Sequence, residues 1–182
     1  MNQLTRTEHY NSVSKALHWL IALLAFSQLA MGKFFEVEAD ESASLFGWHT
    51  ALGLLVLALM VVRLGWRLTH AVPALPRNTP GWQEFAAKAT HFAFYALLIA
   101  LPLSGWLLTS AEGDAVSFLG WFSVPALPVP GGEASEDFIE ETHEVLGNVL
   151  LVLAGIHVLA GLKHHYLDRD DVLIRMMPGA RR

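Results

Sequence analysis

Charged residues fall in clusters along this chain, and four long uncharged runs separate them: residues 16–32, 42–62, 89–111 and 145–162. A helix needs about 20 mostly apolar residues to cross roughly 30 Å of hydrocarbon. It also satisfies its own backbone polar groups there, which an open strand cannot do. The pattern therefore predicts an all-α integral membrane four-helix bundle, with spans over about 15–33, 47–67, 88–110 and 143–166 in a single domain, 1–182. Breakers sit between the runs: Pro73, Pro76 and Pro80-Gly81 after the second, and Pro125, Pro128, Pro130 and Gly131-Gly132 after the third. Pro102 lies inside the third span and predicts a kink there. The stretch from Met31 to Glu36 has no small-x-small cleavage pattern and reads as a helix exit rather than the end of a signal peptide.

Charge sets the orientation. Arg6, Lys15, Arg63, Arg67, Arg77, Lys88, Lys163, Arg169, Arg175, Arg181 and Arg182 fall on one side, leaving only Lys33 for the other. The positive-inside rule puts that cationic side, and both termini, in the cytoplasm. The outer side carries most of the acids, including Glu36, Glu38, Asp40, Glu41, Glu136, Asp137, Glu140 and Glu141. Hydrophobic residues make up 53% of the 182 positions and charged residues 16%, too few charges for a soluble domain of this length. The absence of cysteine excludes disulfides, thiolate metal sites, iron–sulfur clusters and covalently attached c-type haem. A net charge of -5 argues against nucleic acid. Most of the six tryptophans fall near span ends, as an interfacial belt would place them. The segment from Asp168 to Asp171 reads as a short charged helix on the membrane surface.

Nine histidines are many for this length, and His18, His49, His91, His143 and His157 lie in or at the edge of the spans. Ionisable groups at membrane depth are costly and point to function. Odd spans run outward and even spans inward, so His18 and His91 lie near the cytoplasmic face, and His49 and His143 near the outer face. His157 follows His143 by 14 residues, about 21 Å of rise and close to four turns, so both lie within roughly 40° of one helix face. The last span can thus offer one imidazole in each leaflet. The outer pair is His49 with His143, and the inner pair is His157 with His18 or His91. Facing imidazoles at matched depth make a bis-histidine iron site, the setting of a low-spin b-type haem. Zinc would want further ligands that neither depth supplies cleanly. A ring lying along a helix also needs a small residue one turn away. At i+4, His49 has Gly53, His143 has Gly147, His157 has Gly161 and His18 has Ala22, whereas His91 has Tyr95. That spacing selects His18.

The segments LHWLIALLAFSQLAMG, WHTALGLLVLALMVVRLGWRL, THFAFYALLIALPLSGWLL and HEVLGNVLLVLAGIHVLAGLKHHYLDRDDVLIRMMPG together resemble the four helices of bacterial cytochrome b561. The resemblance implies two haem b groups, one per leaflet, with His18 and His157 on the cytoplasmic-side iron and His49 and His143 on the periplasmic-side iron. It also implies electron transfer between a periplasmic donor, superoxide in some members, and ubiquinone in the inner membrane. Quinone binding near the cytoplasmic end would make Lys15 and His164 its candidates. Lys15, Arg63, Arg67 and Lys88 inside, and Lys33, Trp48 and Trp106 outside, are candidate partners of haem propionates. His91 is left as a pocket-lining residue or a satisfied core histidine. Two other readings stay open. One is an anchor subunit for a periplasmic dehydrogenase or hydrogenase. The other is a histidine-lined proton or metal-ion transporter, which should carry carboxylates deep in its spans; the sequence places none there.

Overall fold

The computed structural model describes residues 10–34, 43–74, 79–130 and 132–179. Arg6, His9, Glu36, Glu38, Asp40, Glu41, Pro76, Arg77, Gly131, Arg181, Arg182 and the Lys33 side chain therefore lie outside the described residues. Four long helices follow in chain order: α1 (Ser12–Phe34), α2 (Ala43–Thr69), α3 (Gly81–Ala111) and α4 (Glu133–Lys163). All four are long and apolar enough to cross a membrane. The first three expected spans lie within the longer α1, α2 and α3, whereas the fourth, 143–166, runs three residues past the end of α4 into the turn that follows.

The overhangs have local causes. Pro80 precedes α3, where its fixed φ suits a helix start, and an exposed Lys88–Glu84 ion pair at 2.6 Å supports the first turns. Gly132 precedes α4 at φ 116, and its N–H donates to Glu136 Oε1 at 3.3 Å. Glu133 and Glu136 in the first turn also complement the helix dipole. With 31 residues, α4 rises about 46 Å, more than the roughly 30 Å of a hydrocarbon core.

Between α3 and α4 the outer loop forms a small hairpin that the hydropathy pattern did not predict. Strands β1 (Val116–Phe118) and β2 (Phe122–Val124) pair antiparallel, with Val116 opposite Val124. Leu119 and Gly120 turn the chain at positive φ, and Phe118 stacks on Phe122. The rest of the loop is strapped to α3, with Trp106 Nε1 donating to the Pro125 carbonyl and Leu127 N–H to Ser110 Oγ.

Beyond α4 the structure corrects the expected 168–171 helix. A π-helical turn, His164–Asp168, ends at Arg169 in a left-handed conformation, and the short helix α5 (Val172–Met176) begins only after Asp171. Asp168, Asp170 and Asp171 serve as turn and cap partners instead: Asp170 Oδ1 accepts from Val172 N–H, and Asp171 pairs with Arg175. Lys15 Nζ and Trp19 Nε1 of α1 donate to the carbonyls of Met177 and Met176, tying the tail back across the bundle.

Close packing runs from α1 to α2, α2 to α3 and α3 to α4, while α4 has little backbone contact with α1 or α2. The buried core follows this pattern. Ile21, Val56 and Met60 cluster with Leu17, Leu24, Leu59, Tyr95, Leu98 and Ile99, all from α1, α2 and α3. Leucines and phenylalanines such as Leu23 and Phe92 point outward, as lipid-facing side chains must.

Candidate functional site

At the outer end, His49 of α2 faces His143 of α4 with ring centroids 6.2 Å apart and ring planes at 73°. Both are half-buried. Helices α1 and α3, which carry no imidazole at this depth, hold the pair in place. Gln28 Nε2 donates to the His49 carbonyl at 2.6 Å, and a Cβ on Gly53 would lie 3.2 Å from that same nitrogen. Gly32 leaves room for the His49 ring, its virtual Cβ lying 3.9 Å from Cε1. On the opposite side Ser104 Oγ lies 2.9 Å from His143 Nδ1, and a Cβ on Gly105 would be 3.1 Å from His143 Cε1. His49 Nδ1 and Gln28 Oε1 are buried with no partner among the described residues.

At the inner end, His157 of α4 has two imidazole neighbours: His18 of α1 at 6.4 Å and His91 of α3 at 6.3 Å between centroids. Distance alone does not choose between them. Surroundings do differ, because His18 and His157 are half-buried while His91 is exposed on the bundle surface. Phe94 packs its ring edgewise on His157 at 5.1 Å. Arg63 brings Nη2 to 3.4 Å from His18 Nδ1, a long contact. Arg63, Arg67, His91 and Tyr95 line one cavity on this side of the bundle, which also takes in Tyr10 and Met176.

The other expected residues take separate places. Nothing lies within 4 Å of a Cβ built on Gly147, whereas one on Gly161 would touch Leu173 of α5. Lys15 is engaged by the Met177 carbonyl, and His164 Nδ1 lies 2.6 Å from Asp170 Oδ2. Trp48 is exposed, and Trp106 is bonded to the outer loop.

The donor set can be tested against a metal. An imidazole nitrogen binds a metal at about 2.0–2.1 Å; adding a ring radius of roughly 1 Å on each side, two rings trans across one ion have centroids roughly 6 Å apart. The separations of 6.2 and 6.4 Å fit that geometry. They arise between helices whose backbones do not pack closely. The buried, unpartnered His49 Nδ1 marks the same place as a polar site that the protein alone does not complete.

Residues 9–179 match the family described as prokaryotic cytochrome b561. The chain belongs to that family. Cytochrome b561 homolog 2 of Escherichia coli is 35% identical over 178 residues, covering 93% of this chain and 92% of the relative. Cytochrome b561 homolog 1 of the same organism is 31% identical over 181 residues, 98% of each. A probable superoxide oxidase, CybB, of Yersinia pestis is 28% identical over 179 residues, 94% of this chain and 97% of the relative. As a cytochrome b561 family member, the protein is a multi-pass bacterial membrane protein of electron transfer, and membership implies b-type haem.

Sequence reasoning missed four residues of this cytochrome's outer site: Gln28, Gly32, Ser104 and Gly105. Two of them carried a usable signal, since Gln28 and Ser104 are polar side chains inside apolar spans. The glycines carried none, because the rings they accommodate belong to other helices.

Proposed function

We propose that this protein is a di-haem electron carrier of the inner membrane, linking a periplasmic donor to ubiquinone. The observation that supports it is two imidazole pairs 14 residues apart along α4, each joining α4 to a helix with which it has little backbone contact. In this reading His49 and His143 hold the outer haem, and His18 and His157 the inner one. Bound there, haem supplies a one-electron iron couple whose potential follows its axial ligands and surroundings.

The chain's own groups supply position and charge. Gly53 lets Gln28 Nε2 approach α2 beside His49, Gly147 faces open space and Gly161 lies against Leu173 of α5. Arg63 and Arg67 are the guanidiniums best placed to neutralise propionates at the inner end. Lys15 has three N–H donors and spends one on the Met177 carbonyl, so it retains donors for a quinone carbonyl. His164 Nδ1 faces the Asp170 carboxylate, which leaves Nε2 to accept or return a proton as quinone is reduced or quinol oxidised.

The donor is the second question. One relative is named as a probable superoxide oxidase, which makes superoxide a candidate here. The outer surface favours a cationic or protein donor instead. Glu112, Glu133, Asp137, Glu140 and Glu141 are exposed there, and burial together with Asp114, Glu136 and Glu140 pushes the Glu112 carboxyl above its ordinary range. A reductive titration with ubiquinol, read in the haem α band of the purified protein, tests the quinone assignment. Reversible reduction by ubiquinol is expected; no exchange with ubiquinol, in a preparation that dithionite reduces fully, would remove quinone from the proposal.

A further inference from the structure

The outer site contains a buried hydroxyl within hydrogen-bond distance of an imidazole. Ser104 is 7% exposed, on α3 two residues past Pro102. Its Oγ donates to the Leu101 carbonyl at 2.8 Å and lies 2.9 Å from His143 Nδ1 on α4. A hydroxyl has one proton and two acceptor lone pairs. Placing that proton on Leu101 leaves the Oγ lone pairs to accept from His143 Nδ1–H. Neutral imidazole has a single N–H, so Nε2 is left with its lone pair. Gly105, the next residue, lets the ring approach: a Cβ there would stand 3.1 Å from His143 Cε1.

The inner site is built differently. The contact to His18 Nδ1 comes from Arg63, which can only donate, and at 3.4 Å it is long. No hydroxyl of the Ser104 kind is bonded to His18 or His157 among the described contacts.

We infer that Ser104 is a positioning residue that fixes the Nδ1–H tautomer and the ring orientation of His143, and so lowers the potential of the outer haem relative to a site lacking it. The inference rests on the haem reading proposed above. Its physical basis is that a ligating histidine donating its second N–H is a stronger base toward the metal. A more basic ligand favours the oxidised iron. The hydroxyl is polarised by its own bond to Leu101, which strengthens its acceptance of the Nδ1–H. A back-bond from serine to a carbonyl three or four residues earlier is common in membrane helices, and Ser27 makes one to Leu23 on α1. Ser27 is thus a control that removes the same bond away from the imidazoles.

The test is a spectroelectrochemical titration of the full-length purified protein with the two haem components resolved, alongside low-temperature EPR of the oxidised form. Ser104→Ala should shift the outer component toward the reduced form by about tenfold in its equilibrium constant, a rise of about 59 mV for one electron. The outer low-spin EPR signal should change with it, while the inner component stays in place. Ser104→Thr, which keeps the hydroxyl, should restore both readings, and Ser27→Ala should move neither. Loss of the outer haem in Ser104→Ala that threonine restores supports the same role. An unmoved outer component, a shift confined to the inner one, or a loss that threonine does not restore would overturn it. A wild-type preparation without two haem components would overturn the haem reading and this inference together, and is told apart from the other outcomes by the wild-type spectrum alone.

Discussion

Three imidazoles and two guanidiniums share the inner end of the bundle, and the choice of ligand there turns on side-chain surroundings. His18 and His91 stand at nearly equal distances from His157, 6.4 and 6.3 Å. His18 is half-buried with Arg63 beside it, while His91 is exposed, and Tyr95 occupies the position one turn along from it. In the proposed function His18, the less exposed of the two side chains, is the holder. His18→Ala should empty the inner site and leave the outer haem intact, whereas His91→Ala should keep both haems; haem content per chain after purification checks this. The histidines were legible in the sequence because depth and helical rise are arithmetic. Ser104 and Gln28 stood out only as polar side chains inside apolar spans, because what they hold lies in hydrogen bonds to residues 39 and 21 positions away.

At the scale of elements, α4 is the unusual helix. It leans mainly on α3, and Leu150 is its one buried residue among those described. α3 is therefore both its packing partner and the template that aims His143. The contact is close at Gly105, where a methyl group would sit 3.1 Å from the His143 ring, tighter than ordinary van der Waals contact. Gly105→Ala should displace that ring and weaken the outer haem by about tenfold or more in affinity, with the inner haem unaffected. A haem-retention assay with the two components resolved reads the difference. The four helices followed directly from hydropathy, since span length is fixed by bilayer thickness. The hairpin and the course of the tail did not. Phe118 stacks on Phe122 around a turn with two positive-φ residues, and α5 is placed by the Trp19 and Lys15 side chains. Hydropathy windows carry none of that information.

Over the whole molecule, the charges divide by connection along the sequence: the termini and the 63–88 connection carry most cations, which the positive-inside rule assigns to the cytoplasm, and the other two connections carry most acids. That division sets the topology and also the field that an outer donor meets. Superoxide is an anion, and a predominantly acidic entrance repels it at a range set by the Debye length, about 10 Å at 0.1 M salt. Stopped-flow reduction by superoxide should therefore be slow and should accelerate as salt is added; a fast rate that falls with salt would show that local cations dominate the entrance. The fold sets two imidazole pairs 14 residues apart along α4, and each pair is proposed to hold its own haem. The most direct measurement is haem per chain in the wild type, His143→Ala and His157→Ala, purified from haem-replete cells. Two, one and one are predicted, with different spectral components surviving in the two variants. A wild-type value of one or none, or both variants losing the same component, would contradict the account.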